Sequence, residues 1–303
     1  DAVQQPAQPS VEYPLNTAEL DQDEQALQQV LQSAKSQRVP TMTQLVDLIA
    51  INELLGTVES SGDGKNANLV AQLETESLAD KAAEFKTTNN DDTIGWIRIP
   101  NTNVDYPVVY KAGVENYAYY ESKGYDKQYS KDGVIWADYE CTFPELSQNT
   151  TLYGHNWHNI YTPRTQANMQ ANDLMFSLVM SYNYTDFAQE NPFIYFSTTE
   201  QDYVFQVFAS YYTDLNFGYN YAQMSQEDFQ KVIAEAKAKS LSNYNVPVTS
   251  EDKIVTLSTC TRVHGNTNNQ RFVVMAKLVP VGTPSTTIST HSNPIAYNSS
   301  IDA

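Results

Sequence analysis

The hydrophobic positions of the chain change their period from helical spacing to strand-like alternation in the first third of the sequence. Before the change, apolar stripes at helical spacing predict three short helices. The first begins near Asn16, the second begins near Thr41, and the third covers residues 66–85. Residues 1–15 contain three prolines and no periodicity, which predicts a flexible leader. The sequence therefore predicts an N-terminal helical extension over residues 16–88.

After this extension, eight short stretches mix β-branched and aromatic residues with partial alternation, which is typical of strands. They cover residues 94–100, 104–110, 132–140, 149–155, 193–198, 202–212, 253–260 and 271–280. Regular helices do not alternate with them, so the pattern favours a closed or half-closed antiparallel barrel of eight strands over a parallel sheet. We expect a mainly β protein with accessory helices and a barrel domain over residues 89–280.

Two segments depart from the strand pattern. Residues 225–241 have helical spacing after a capping Ser225, so one helix is inserted before the strand that ends at Cys260. Residues 281–303 are rich in Ser and Thr and predict a polar, flexible tail.

Charge and hydropathy argue against several classes of partner and against a membrane span. The formal net charge of −18 argues against nucleic acid or an anionic membrane surface as the partner, because both require clustered basic residues. The longest apolar stretch, residues 45–55, is too short and too polar to span a bilayer. Because the chain begins with Asp1 and not with Met, we expect that a signal or membrane anchor has been removed.

The chain contains only two cysteines, Cys141 and Cys260. Two cysteines do not make a disulfide framework, although a single disulfide bond between them is an alternative. Neither cysteine has zinc-site spacing, and HNWH, with His155 and His158, lacks a third ligand group nearby in the sequence. We therefore expect no metal or other cofactor.

The last two predicted strands place reactive side chains together. Period-two alternation puts Cys260 on one face of its strand and Arg271 on one face of the next. If these strands pair as a hairpin, the loop TRVHGNTNNQ returns the chain to the same end of the sheet. A thiol nucleophile also requires a base, and His155, at the end of another predicted strand, is the best placed of the four histidines.

Each of these residues has a structural alternative. A lone cysteine is more often a small buried hydrophobic residue, a lone arginine is usually a solvated strand end, and a lone histidine can cap a turn. Arg262, in the loop after the cysteine, is the competing arginine. Spacing alone leaves these alternatives open.

The motifs TLSTCT, R-F-V-V and LYGHN together resemble those of the sortases, the cysteine transpeptidases of the Gram-positive bacterial surface. The resemblance covers roughly residues 94–280, from IGWIRIPNTNVDYPVV to the last strand. The inserted helix and the helical N-terminal extension are similar to class B in particular. The long N-terminal segment and the Ser/Thr-rich tail depart from the family pattern.

The resemblance implies a sortase-like barrel with His155, Cys260 and Arg271 as catalytic residues, and with Ser258 and Thr259 as substrate contacts. It also implies a thioacyl intermediate, formed by cleaving a sorting motif in a secreted protein and transferred to an amine of cell-wall peptide or of a pilin lysine. The expected location is the outer face of a Gram-positive cell membrane. The alternatives are a hydrolytic cysteine peptidase and an inactive surface or scaffold protein.

Overall fold

A computed structural model describes residues 69–298 of the chain. The leader, the first two predicted helices and residues 299–303 lie outside these described residues. The described residues form three α-helices: α1 (Leu78–Thr88), α2 (Thr185–Glu190) and α3 (Gln226–Lys239). The strands are β1 (Thr93–Arg98), β2 (Asp105–Val109), β3 (Ile135–Ala137), β4 (Asn149–Tyr153), β5 (Phe193–Thr198), β6 (Val204–Asp214), β7 (Ser242–Asn243), β8 (Ile254–Cys260), β9 (Gln270–Val279) and β10 (Ser289–Thr290). Short 3-10 helices cover Val114–Asn116, Gln166–Asn168 and Ser177–Asn183.

Eight strands close into a barrel in the order β1-β2-β3-β4-β8-β9-β6-β5, and β5 pairs back to β1. Each of these strands corresponds to one of the eight predicted stretches. The expectation of an antiparallel barrel is wrong for two pairs, because β2 runs parallel to β3 and β4 runs parallel to β8. Long stretches of chain separate β2 from β3 and β4 from β8, and such connections allow a strand to enter beside a parallel partner.

The helix predicted over residues 66–85 corresponds to α1, which begins later, at Leu78, and ends later, at Thr88. Ser77 is the N-cap of α1, where its Oγ accepts a hydrogen bond from the backbone N–H of Asp80 at 3.1 Å. Leu69 and Leu73, expected on the inner face of that helix, are exposed. Helix α1 packs on the barrel, with the ring of Phe85 edge-on to Trp96 of β1 at 6.0 Å.

Helix α3 confirms the insertion before the cysteine strand. The Oγ of Ser225 accepts from the backbone N–H of Asp228 at 3.1 Å, as the capping pattern predicts. Phe229, Ile233 and Ala236 are buried on its apolar face. The helix thereby covers one side of the barrel next to β6.

Residues 281–298, the C-terminal segment, do not form the loose tail that the sequence predicts. The side chain of Ile288 is buried, and β10 within the segment pairs with β7. The imidazole of His291 is hydrogen-bonded through Nδ1 to the carbonyl oxygen of Ser240 at 2.7 Å. The Ser/Thr-rich composition hides this order, because backbone pairing holds the segment and requires few apolar side chains.

None of the helices within residues 69–298 is long and apolar enough to cross a membrane.

Candidate active site

Cys260 is the last residue of β8, and Arg271 is the second residue of β9. The antiparallel register of the two strands sets Cys260 directly opposite Arg271. Opposed residues of a pair point to the same face with Cβ atoms about 5 Å apart. The structure therefore brings the predicted thiol and guanidinium together at one end of the barrel, and both side chains are partly exposed there.

His155 reaches the same place from the other side of β8. The strand β4 ends at Tyr153, which lies level with Ser258 in the parallel register, so His155 follows at the level of Cys260. The residues on either side of the histidine are hydrogen-bonded to the end of β8. The Oγ1 of Thr259 donates to the carbonyl of Gly154 at 2.8 Å, and the Nδ2 of Asn156 donates to the carbonyl of Cys260 at 3.3 Å.

Three groups contact the imidazole of His155. Its Nε2 lies 2.5 Å from the carbonyl oxygen of Glu121, which can only accept, so Nε2 carries the proton and Nδ1 is the nitrogen available for chemistry. The ring lies between Trp136 and Trp157, at centroid distances of 5.7 and 5.0 Å. The Nε1 of Trp157 donates to the carbonyl of Lys131 at 2.9 Å, which fixes that ring over the histidine.

Gly133 leaves the space that the imidazole occupies. Its φ of 61° lies in the left-handed region that favours glycine. A Cβ at this position would lie 2.9 Å from Cδ2 of His155 and 3.1 Å from the carbonyl oxygen of Glu121. The sequence gives little sign of this role, because the glycine precedes a strand and reads as an ordinary turn residue.

The two arginines near the thiol have different surroundings. Nη1 of Arg271 donates to the carbonyl oxygens of Asn268 and Gln270, each at 2.9 Å. Arg262 lies beyond the end of β8, where its backbone N–H donates to the carbonyl of Ile160 and its guanidinium donates to the side chain of Asn268. Only Arg271 is in register with Cys260.

The predicted substrate contacts are not presented at the surface. Ser258 and Thr259 are both buried. The hydroxyl of Ser258 is hydrogen-bonded to the phenol of Tyr219 at 2.8 Å, and that of Thr259 is bonded to Gly154. Both hydroxyls are therefore engaged inside the protein, and their positions favour a role in shaping the end of β8.

A partly buried polar network includes Tyr153, which is level with Ser258 in the register of β4 and β8. The phenol of Tyr153 donates to Oδ2 of Asp138 at 2.7 Å and accepts from Nδ2 of Asn220 at 2.9 Å. Burial raises the pKa of Asp138, and burial is also the largest cause of the raised pKa of Tyr219. The charge of Arg271 acts in the opposite direction and lowers the pKa of Tyr219. The hydrogen bond between this phenol and Ser258, two residues before Cys260, places it close to the site.

The other candidate groups lie elsewhere. Both cysteines are free, and burial raises the pKa of the Cys141 thiol to about 12, so it is a poor nucleophile. His158 is exposed, and His264 stacks on Tyr297 in the loop after β8. Residues 69–298 contain no group of three His, Cys, Asp or Glu side chains placed to hold a metal ion.

Three comparisons place this site among known proteins. The family model described as "Sortase domain" matches residues 97–279. A curated Sortase B of Staphylococcus aureus is 31% identical over 193 residues, which cover 63% of this chain and 72% of that protein. A Sortase B of Listeria monocytogenes is 29% identical over 191 residues, which cover 63% of this chain and 71% of that protein.

Solved structures agree with the sequence matches. A Staphylococcus aureus sortase B–substrate complex superposes with a TM-score of 0.56 at 28% identity and covers 68% of this chain and 88% of its own. A Clostridium perfringens sortase B superposes with a TM-score of 0.54 at 26% identity and covers 65% of this chain and 98% of its own. The match thus includes both the barrel fold and the sequence that forms the candidate site.

Proposed function

The chain belongs to the sortase family of cysteine transpeptidases and is most similar to class B, and we propose that His155, Cys260 and Arg271 are its catalytic residues. The observation that carries this assignment is that the three residues lie at one level at the ends of the adjacent strands β4, β8 and β9, with His155 two residues beyond β4. The buried thiol of Cys141 offers no competing nucleophile.

In the first half of the reaction, Nδ1 of His155 takes the proton of the Cys260 thiol, and the resulting thiolate attacks a backbone carbonyl of the sorting motif. The new C–S bond gives a tetrahedral intermediate, whose oxygen takes the negative charge. Arg271 is placed to donate to this oxygen, and the loss of one such donor costs on the order of 100- to 1000-fold in rate. The intermediate collapses as the C–N bond breaks, and His155 gives the proton that Nδ1 took from the thiol to the departing amine.

In the second half, an acceptor amine attacks the thioester carbonyl. His155 takes the amine proton, the C–S bond breaks, and the thiolate leaves with the electron pair as the new amide bond forms. The Nδ1 atom of His155 serves both transfers, since Nε2 is bonded to the carbonyl of Glu121. The cycle consumes no ATP and needs no metal.

Membership of the family indicates an acyl donor and an acceptor for the reaction. A sorting motif as the acyl donor is supported by the Staphylococcus aureus sortase B that was solved as a complex with its substrate. We infer an acceptor amine of cell-wall peptide or of a pilin, and a location at the outer face of a Gram-positive membrane. Acidic net charge agrees with the absence of nucleic acid from this list.

A peptide-ligation assay tests the proposed transpeptidase activity. The protein is incubated with a library of peptides that carry a randomised five-residue core, with triglycine as the amine, and mass spectrometry detects the ligated product and the thioacyl adduct. Cys260→Ala should abolish both species, and Cys141→Ala should preserve both. Full turnover by Cys260→Ala would overturn the assignment.

A matched pair of arginine variants tests the third residue. Arg271→Lys should lower the rate by about 100-fold, because a lysine point charge lacks the planar donor fork. Arg262→Lys should leave the rate within about twofold, since Arg262 is out of register with the cysteine. The opposite outcome would transfer the role to Arg262.

The alternative of a hydrolytic cysteine peptidase is not favoured. Thiol peptidases of unrelated folds commonly activate a cysteine at a helix N-terminus, and Cys260 lies at the end of a strand. Release of acid product in the presence of excess triglycine would favour that alternative.

A further inference from the structure

The C-terminal segment ends against the β8–β9 loop (residues 261–269), which joins the candidate nucleophile to Arg271. The ring of Tyr297 stacks on the imidazole of His264 with centroids 4.5 Å apart and planes 9° from parallel. Tyr212 of β6 meets the same imidazole edge-on at 4.8 Å. His264 is thus held between a barrel strand and the C-terminal segment.

Tyr297 is itself fixed by helix α3. The buried Nζ of Lys239, at the last turn of the helix, donates to the carbonyl oxygens of Ala296 and Tyr297 at 3.1 and 3.0 Å. The backbone N–H of Ile295 donates to the carbonyl of Ala238 at 3.0 Å. A buried ammonium group on two successive carbonyls is a specific attachment, since charged donors make the stronger hydrogen bonds.

The loop connects His264 to Arg271 through one buried side chain. The backbone N–H of His264 donates to Oε1 of Gln270 at 3.0 Å. The Nε2 of the same amide donates to the carbonyl of Gly265 at 2.7 Å and to the hydroxyl of Thr267 at 2.8 Å. Gln270 is the residue before Arg271, and it therefore sets the loop against the start of β9.

The guanidinium depends on this loop for its direction. Nη1 of Arg271 is bonded to the carbonyl oxygens of Asn268, within the loop, and of Gln270. A loop that moves away takes the Asn268 acceptor with it. The remaining guanidinium nitrogens, which would face a developing oxyanion, then lose their fixed orientation.

We propose that Tyr297 is a positioning residue for Arg271, which it directs by clamping His264 and with it the β8–β9 loop. This inference rests on the proposed function, in which Arg271 binds the oxyanion. Because the oxyanion forms only after substrate has bound, loss of the clamp reduces kcat and leaves KM nearly unchanged.

The experiment measures steady-state ligation with the library peptide that gives the most product and with triglycine as the amine. Tyr297→Ala should lower kcat by about tenfold with KM within twofold, since a small misplacement of a catalytic group costs up to about 100-fold. Tyr297→Phe keeps the stacked ring and should retain wild-type kcat. The control is Val281→Ala, because Val281 lies in the same segment and is 37% exposed.

Two further measurements separate positioning from general stability. In the Arg271→Lys background, Tyr297→Ala should cause no further loss, because both changes remove the same interaction. Hydrogen–deuterium exchange should be faster at residues 264–270 in Tyr297→Ala and unchanged in Val281→Ala. This exchange measurement does not require turnover, so it tests the clamp even if the library yields no substrate and the proposed function fails.

Three results would overturn the inference. One is a kcat of Tyr297→Ala within twofold of the wild type at a temperature well below its unfolding midpoint. Another is an equal loss in the Arg271→Lys and wild-type backgrounds. The third is unchanged exchange at residues 264–270.

Discussion

Replacing Gly133 by alanine should slow turnover while the barrel stays folded, because the new methyl group would meet the imidazole of His155. The Cβ would lie 2.9 Å from Cδ2 of His155, whereas ordinary contact begins near 3.4 Å, so the ring must move by about 0.5 Å. That movement disturbs the 2.5 Å contact between Nε2 and the carbonyl of Glu121. Misplacing a proton-transfer group by this order of distance should reduce kcat/KM by about 10- to 100-fold.

The cost in stability is smaller and can be estimated separately. An alanine at the φ of 61° found at Gly133 costs about 1–2 kcal/mol. Each kcal/mol lowers Tm by about 2–4 °C in a domain of this size. The variant therefore remains folded at 25 °C, and its activity reports the position of His155.

The assay combines the initial rate of ligation, followed by mass spectrometry, with thermal unfolding of the same samples. Gly113→Ala is the matched control. Gly113 also has a positive φ, of 96°, but a Cβ there meets only the movable carboxylate of Glu115. It should lower Tm and leave the rate intact. The reasoning is refuted if Gly133→Ala ligates at the wild-type rate, or if Gly113→Ala loses as much activity.

Three further outcomes follow from the buried groups. Iodoacetamide at pH 8 should alkylate one thiol of the native protein, Cys260, and both thiols in denaturant, because burial raises the pKa of Cys141 to about 12; native labelling of Cys141 would contradict this. Burial raises the pKa of Asp138 above its ordinary 3.8, so the stability that its protonated form contributes is complete below that pH and is lost as the pH rises through the raised pKa. Thermal unfolding from pH 3 to 8 should therefore show the wild type losing stability relative to Asp138→Asn over this interval, and parallel curves would exclude the effect. Gly154→Ala should destabilise the fold by about 1–3 kcal/mol in denaturant titrations, because its Cβ would lie 2.5 Å from the buried Ile135 and 2.6 Å from the buried Phe176; an unchanged midpoint would show that these side chains can move aside.

The strands and the inserted helix were accessible from sequence because their signals are local. Alternation within 253–260 and 271–280 also predicts which side chains share a face, and this places Cys260 and Arg271 together in the observed register. The capping pair at Ser225 and Asp228 fixes the start of α3 in the same way.

The features that the sequence did not reveal depend on contacts between residues that are far apart in the chain. The parallel pairing of β4 with β8 joins residues about 100 positions apart, and nothing in either strand specifies its partner's direction. The acceptor for His155 is the backbone carbonyl of Glu121, which has no side-chain signature. The order of the C-terminal segment depends on Lys239, which reads as an ordinary helix-end lysine.

The helix predicted over 66–85 shows a different limit. Apolar residues at helical spacing continue upstream of Ser77, yet residues 69–77 form no helix, and Val70 bridges to Pro284. A capping serine followed three residues later by an acidic residue is the more reliable start signal here.

Arg271 and His155 also differ in the stage of folding at which they can come close to Cys260. Arg271 comes from the next strand along a short hairpin. His155 instead follows β4, and its neighbour Asn156 donates to the carbonyl of Cys260 across 104 residues of sequence. Local pairings form before non-local ones, because the closure of a long loop costs more entropy. On the proposed assignment, a newly synthesised chain would therefore carry its thiol beside the guanidinium but without a proton donor until the barrel closes. On the proposed mechanism, competence to form thioesters would then coincide with the completion of folding.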